Sequence, residues 1–344
     1  MRLALVTDAW FPQTNGVVRT LAATLRCLEA EGVETQVFTP LDFRTVPCPL
    51  YPEIRLALFP GGRLGRALDE FRPDAVHVAT EGPLGLAARR WCLRRGRVFT
   101  TAYHTQFPEY LRARLPIPLA VSYAWMRWFH GAARRTLVPT PSMQRLLAQR
   151  RIGNVVLWSR GVDAQLFRPR RRDFLAWPRP LWLYVGRLAV EKGVHDFLTL
   201  DLPGTKVLIG DGPARARLET QFPSARFLGF KHGDDLARHF AACDVFVFPS
   251  RTDTFGLVML EAMASGLPVA AYPVTGPLDV VLDGVSGALS EDLAAAALRC
   301  LQLNPGQCRQ HALRYSWESC TRQFIAMLAT GHELQDAAAA VPSM

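Results

Sequence analysis

The chain has 344 residues, of which 49% are apolar, 10% aromatic and 20% charged. That length is too great for one compact core and suits two domains of about 150 residues each, while the apolar content excludes global disorder. The net charge of +10 is lopsided: residues 1–170 carry 24 Lys and Arg against 12 Asp and Glu, and residues 171–344 carry 16 against 18.

Residues 2–7 (RLALVT) predict a buried strand, and Asp8 interrupts the apolar run too early for a signal peptide. Residues 16–31 have helical spacing at Val17, Leu21, Leu25 and Leu28, with Gly32 as a stop, and 34–39 predict the next strand. This β-α-β opening implies a parallel sheet. Further strands are expected at 74–79, 97–102, 136–140 and 155–159, with a helical stretch at about 117–133. The uncharged run 115–126 has twelve residues, short of the roughly 20 that a membrane span needs. Residues 168–180, dense in Pro and Arg, read as a linker. A second series of strands follows at 181–186, 205–210, 226–230, 245–249 and 268–273, with helices at 213–222, 233–242 and 257–265. The last helix is expected at 311–330, carrying Leu313, Trp317, Phe324 and Leu328, and the tail with AAAA at 337–340 is expected to fray.

The expected organisation is two doubly wound, Rossmann-like α/β domains. The first spans 1–167 and takes back the C-terminal helix, 168–180 is the linker, and the second spans 181–310. Ligands of such domains bind at the C-terminal ends of the strands, and two facing domains make the cleft between them the default site. The seven Cys are scattered and contain no CxxC. They suggest neither a zinc site nor a disulfide frame, and most of them fit buried thiols in a reducing, cytoplasmic compartment.

The most informative stretch is SRTDTFGLVMLEAMASG at 250–266. It leaves a strand, passes a Thr/Gly loop and enters a helix. Asp253 sits in the loop, and Glu261, eight residues on, sits on the helix. The amides of Thr254, Phe255 and Gly256 lie at a helix N-terminus, which favours an anion such as phosphate. A carboxylate further along suits the two hydroxyls of a ribose. Asp253 as a helix N-cap and Glu261 as a surface residue fit the same letters.

This stretch resembles the E-x7-E signature of glycosyltransferase family 4, whose members are retaining and have the GT-B fold. Other segments resemble the family in the same order: TDAWFPQTNGVVRTL (7–21), TAYHTQFPEY (101–110), WSRGVDAQLFRP (158–169), VGRLAVEKG (185–193), GDGPAR (210–215) and FLGF (227–230). The matches run over roughly residues 2–325, with one departure: Asp253 stands where the family usually has Glu. The resemblance implies two Rossmann-like domains facing across a cleft and a nucleotide-sugar donor. It assigns Arg187, Lys192 and the Gly16 amide to the diphosphate, and Glu261 to the ribose. Asp253 and His104 would flank the sugar, Gly212 would shape the pocket floor, and Phe230 would lie by the base. His104, Asp253, Arg187 and Lys192 are thus the expected catalytic group. Arg187 and Lys192 also read as a surface charge pair, and Gly16 as a plain helix start. Lys192 is one of only three Lys, with Lys206 and Lys231, in a chain with 37 Arg. No DxD motif occurs, so two cations rather than a metal are expected to neutralise the diphosphate, and no cofactor is expected. Thr80-Glu81-Gly82, at another strand end, is placed toward the acceptor.

Between Glu109 and Asp163 there is no acidic residue, but nine Arg, interleaved with Leu115, Ile117, Tyr123, Trp125, Trp128 and Phe129. Arg with Trp and Phe suits an interfacial helix at an anionic bilayer. A packed helix with a solvated basic face is the plainer possibility, and no nucleic-acid motif accompanies the basic patch. The expectation is hexose or hexuronate transfer from a UDP- or GDP-linked donor to a membrane lipid such as diacylglycerol. The enzyme would lie peripherally on the inner face of the cytoplasmic membrane. The alternatives are a soluble or polysaccharide acceptor, and a non-catalytic nucleotide-sugar or nucleic-acid binding protein.

Overall fold

A computed structural model describes residues 1–13, 15–49 and 51–329, with the backbone alone described at 51–53, 113 and 114. It divides into two compact units. The first comprises Met1–Pro108, Leu115–Ser159 and the chain from Trp317; the second comprises Glu109–Arg114 and Arg160–Ser316.

The first unit runs β1 (Arg2–Val6), α1 (Gly16–Ala30), β2 (Glu34–Phe38), a hairpin of β3 (Thr45–Cys48) and β4 (Tyr51–Ala57), α2 (Gly61–Phe71), β5 (Ala75–Val78), α3 (Pro83–Arg94), β6 (Thr100–Ala102), the start of α4 (Phe107–Arg114, which from Glu109 on belongs to the second unit), α5 (Leu119–His130), β7 (Arg135–Val138), α6 (Pro141–Gln149) and β8 (Val155–Leu157). The second runs β9 (Leu181–Val185), α7 (Val194–Thr199), β10 (Thr205–Ile209), α8 (Arg215–Gln221), β11 (Arg226–Phe227), α9 (Gly233–Ala242), β12 (Val245–Phe248), α10 (Leu257–Ala264), β13 (Val269–Ala271), α11 (Pro277–Val280), β14 (Gly287–Leu289), α12 (Leu293–Cys300) and α13 (Pro305–Ala312). The chain closes with α14 (Trp317–Met327).

Each unit holds a six-stranded parallel sheet, in the orders β2-β1-β5-β6-β7-β8 and β11-β10-β9-β12-β13-β14. The second is the dinucleotide-fold order, with its reversal between β9 and β12. In the first, the reversal lies between β1 and β5. Successive residues of one strand enter different cores. Leu181, Leu183 and Val185 of β9 pack with Phe240 and Met263, while Trp182 and Tyr184 pack with Phe197 and Leu218. In β1, Ala4 and Val6 pack on α2 and α3 through Leu64 and Leu84, while Leu3 and Leu5 meet Leu21 and Phe324. Burial on both faces is why these strands read as unbroken apolar runs.

Three expectations change. Residues 160–167 belong with the second unit: Val162 and Phe167 enter its core, and the Arg309 guanidinium donates to the Ala164 and Phe167 carbonyls. Leu175 and Trp177 of the expected linker pack on that core as well. The expected helix 311–330 is two helices. α13 starts from an Asn304 cap and buries Cys308 and Ala312 in the second unit, whereas α14 buries Cys320 and Phe324 in the first. Two cores cannot be served by one straight helix, and Leu313 at the break is exposed. The strand 226–230 ends at Phe227, because Gly229 turns with a φ of +67°. The tail at 337–340 lies outside the described residues.

Asp8 ties the two loops at the first unit's reversal. Its carboxylate accepts from the Leu84 and Gly85 amides (2.9 and 3.2 Å) and from the Thr80 hydroxyl (3.0 Å). A Cβ at Gly82 would sit 2.4 Å from Asp8 Cγ, so only glycine fits there. Burial raises the Asp8 pKa from 3.8 to about 6 against the lowering effect of these hydrogen bonds. Folding therefore takes up a proton between those two values. The contribution is present below about pH 4, is lost as the pH rises to about 6, and amounts to about 3 kcal/mol. Replacing Asp8 with Asn is expected to remove this component. The urea-unfolding difference between wild type and D8N should change by that order between pH 4 and 6.5, and a constant difference would refute the assignment.

Candidate active site

The second unit's reversal point is where a doubly wound sheet binds ligands. Two loops meet there. The first leaves β9 and carries Arg187 and a 3-10 turn, Val190–Lys192, closed by Gly193 in the left-handed region at φ +63°. A Cβ on Gly193 would lie 2.5 Å from the Pro249 carbonyl oxygen, so this glycine lets the loop press against the end of β12. The second loop leaves β12 and carries Ser250 to Gly256. The result is an ion pair between residues 61 apart: Lys192 Nζ lies 2.6 Å from Asp253 Oδ1. The same ammonium donates to the Tyr110 hydroxyl at 3.4 Å. Burial works to lower the Lys192 pKa, but the Asp253 carboxylate and Tyr110 more than reverse this, and the net shift is upward. The other carboxylate oxygen, Asp253 Oδ2, is buried without a hydrogen-bond partner among the described residues. A buried acceptor in that state calls for a donor from a ligand or water.

The neighbouring positions divide by role. Glu261, on the second turn of α10, is 4% exposed, which removes the possibility of a surface carboxylate. Asp253 is not a helix cap: the N-cap of α10 is Gly256, at φ +82°, with no side-chain cap bond. Thr254 and Phe255 are buried, and the Phe255 ring packs edge-on against Tyr315. Gly212 is a packing glycine: a Cβ there would lie 2.5 Å from the Leu188 carbonyl oxygen, in the loop that carries Arg187. Phe230 is not at a strand end. It lies on the loop after β11, 56% exposed, with its ring face to face with His232.

Gly16 and His104 belong to the first unit. Gly16 is the exposed first residue of α1, where the Asn15 side chain accepts from the Val17 and Val18 amides. His104 follows β6 and packs edge-on against Trp158, with ring centroids 5.8 Å apart. Sequence reasoning missed Tyr110. It stands inside the quoted motif, but nothing in spacing shows that α4 delivers it to Lys192.

The basic, aromatic segment is split by α5. Tyr123, Met126 and Phe129 are core residues, so the expected interfacial role fails for Tyr123 and Phe129. Trp125 and Trp128 face outward at 40% and 50% exposure, 5.0 Å apart, with the Arg89 guanidinium 3.9 Å above Trp128. Among the described residues no helix is long and apolar enough to cross a membrane.

Two Rossmann-like units in tandem, each with a six-stranded parallel sheet, are the architecture of GT-B glycosyltransferases. The chain belongs to glycosyltransferase family 4. The family described as Glycosyltransferase Family 4 matches residues 14–166, and that described as Glycosyl transferases group 1 matches 179–303. A GDP-mannose-dependent alpha-mannosyltransferase of Mycobacterium tuberculosis is 35% identical over 316 residues, 84% of this chain and 83% of its own length. The alpha-monoglucosyldiacylglycerol synthase of Streptococcus pneumoniae is 26% identical across 91% of this chain and 81% of its own. The HepE protein of Anabaena, solved with UDP and glucose, superimposes with a TM-score of 0.72 at 18% identity, covering 94% of this chain and 98% of that one. The protein is therefore a transferase that moves a glycosyl group from a nucleotide sugar.

The pairing has a direct chemical readout. Acylation of an amine needs its neutral form, and the Asp253 carboxylate suppresses that form at Lys192. In Asp253→Asn, acylation of Lys192 should speed up by about tenfold or more relative to Lys231 in the same sample, read by peptide mass mapping. An unchanged ratio would show that the pair does not hold in solution.

Proposed function

We propose that this chain transfers a hexose or hexuronate, with retention of configuration, to a membrane lipid such as diacylglycerol. GDP-mannose is the first donor to test, because the 35% identical relative is named for it; UDP-linked sugars are the alternatives. The observation that carries the donor half is the Lys192–Asp253 pair, with its unpartnered carboxylate oxygen. In this proposal Arg187 and Lys192 neutralise the diphosphate and make a divalent metal unnecessary. Glu261 receives the ribose hydroxyls, Asp253 Oδ2 accepts from a sugar hydroxyl, and the backbone from Thr254 to Gly256 lies against the phosphates. Gly212 holds the Arg187 loop in place, and Phe230 offers a ring to the base. Gly16 and His104 keep the donor roles that the resemblance assigns them. No side chain is assigned as general base; the departing phosphate oxygen takes the acceptor proton.

The lipid half is supported by the outward Trp125 and Trp128, and by the exposed Arg134, Arg145 and Arg151 of the same unit; of the nine Arg between Glu109 and Asp163, Arg160 is buried. Paired Trp side chains suit the interfacial layer of a bilayer, and the Arg suit anionic headgroups. The name of the pneumococcal relative, a diacylglycerol glucosylating enzyme, points the same way. This reading places the protein peripherally on the inner face of the cytoplasmic membrane.

The test is a donor panel of GDP-mannose, UDP-glucose and UDP-glucuronate against dioleoylglycerol in phosphatidylglycerol vesicles with EDTA present. One donor should give labelled glycolipid at undiminished rate, and Lys192→Ala should lower kcat by about a hundredfold or more while the protein stays folded. Loss of fold in place of loss of activity would count against the assignment of Lys192. In flotation, the protein should rise with these vesicles at low salt and dissociate at high salt, and Trp125→Ser with Trp128→Ser should weaken binding by about tenfold or more. An enzyme that stays in the bottom fraction at low salt has another acceptor.

A further inference from the structure

The first unit has a reversal point of its own, between β1 and β5, and the same rule that places ligands at the second applies there. We infer that Glu81, on the loop after β5, takes a hydroxyl of the acceptor, and that the buried His130 is the positioning residue that aims it. The inference rests on the transferase function proposed above and adds the residue by which the acceptor is held.

The loop that carries Glu81 is fixed on both sides. Asp8 binds the Thr80 hydroxyl before it and the Leu84 and Gly85 amides after it. A Cβ at Gly85 would lie 1.9 Å from the Thr80 carbonyl oxygen, so the loop is folded too tightly for any other residue there. Glu81 Oε1 lies 3.2 Å from His130 Nε2. A carboxylate only accepts, so Nε2 must carry the hydrogen. With a neutral ring, Nδ1 is then an acceptor, and the Thr101 hydroxyl at 2.9 Å donates to it. The Thr101 oxygen in turn accepts from Thr136, 3.0 Å away. In the neutral ring each bond of this chain then has one direction, and the contacts at both ring nitrogens fix the angle of the ring.

His130 is fully buried and cannot meet a substrate. The Glu81 side chain is 23% exposed, and its second oxygen has no hydrogen-bond partner among the described residues. The network therefore spends one carboxylate oxygen on orientation and leaves the other for a ligand. A carboxylate oxygen held in this way at a strand end selects a hydroxyl donor, the group a glycosyl acceptor must present, and rejects an anion.

The test uses full-length enzyme, the donor that supports wild-type transfer, and dioleoylglycerol in phosphatidylglycerol vesicles. Glu81→Gln keeps the shape and removes the charge; the acceptor KM should rise about tenfold or more, with the donor KM held within about twofold. His130→Phe should act in the same direction, and His130→Gln, which keeps an N–H toward Glu81, should recover most of the loss. A rise in both KM values together, or an acceptor KM equal to wild type in Glu81→Gln, would overturn the assignment and leave the transferase function standing. A wild-type enzyme that transfers to no acceptor, although it binds the nucleotide, would remove the underlying function and this assignment with it. Should His130→Phe fail to fold, the Glu81→Gln split alone decides.

Discussion

A strand buried on both faces has no polar face to offer, and most of this protein follows from that. All five residues of β9 are buried, as are four of the five in β1. Chemistry can then be placed only where a strand ends and its side chains and amides leave the core. At each reversal point two adjacent strands send their loops to opposite faces, so their ends open a crevice that nothing else fills. In both units that crevice is braced by a carboxylate that the core would otherwise reject. In the first it is Asp8, neutralised in part by two amides and a hydroxyl. In the second it is Asp253, neutralised by Lys192. Burying an acid costs several kcal/mol unless it is met by donors or a cation. These two meet their donors only when the loops close correctly.

The glycines act in the same cause. Gly82, Gly85, Gly193 and Gly212 each stand where a Cβ would overlap a neighbouring backbone or the Asp8 carboxylate. Gly82, Gly193 and Gly212 allow loops from separate strands to touch, which is the condition for ion pairs such as Lys192–Asp253 across 61 residues of sequence. Gly16, by contrast, opens a helix already capped by Asn15.

Apolar runs made the strands legible, with an overrun of one to three residues where the run continued into the loop, as at Val185–Gly186. The hairpin of β3 and β4 was missed, because Pro47 and Pro52 break its pattern. The division at 305–316 was missed because apolar residues recur at helical spacing on both sides of the break, and the pattern cannot tell which core receives them. Asp253 and Lys192 stood out as motif residues, but their pairing with each other and with Tyr110 is a property of loop closure. His130 could not be read at all. Its neighbours Trp128 and Phe129 are apolar, and its partners Glu81 and Thr101 lie 49 and 29 residues away.

The three lysines in an arginine-rich chain fall into place on the same grounds. A guanidinium is a planar fork that needs room and donors in one plane, whereas an ammonium is a compact point charge. Lys206 drives its ammonium onto the Leu198 and Leu200 carbonyls at the end of α7. Lys192 fits between a carboxylate and a phenol. Lys231 closes a turn on Asp235 four residues along. Arginine does the spreading work instead: Arg309 spans three carbonyls, from Ala164, Phe167 and Ala264, and Arg89 covers a Trp face while bonding two more.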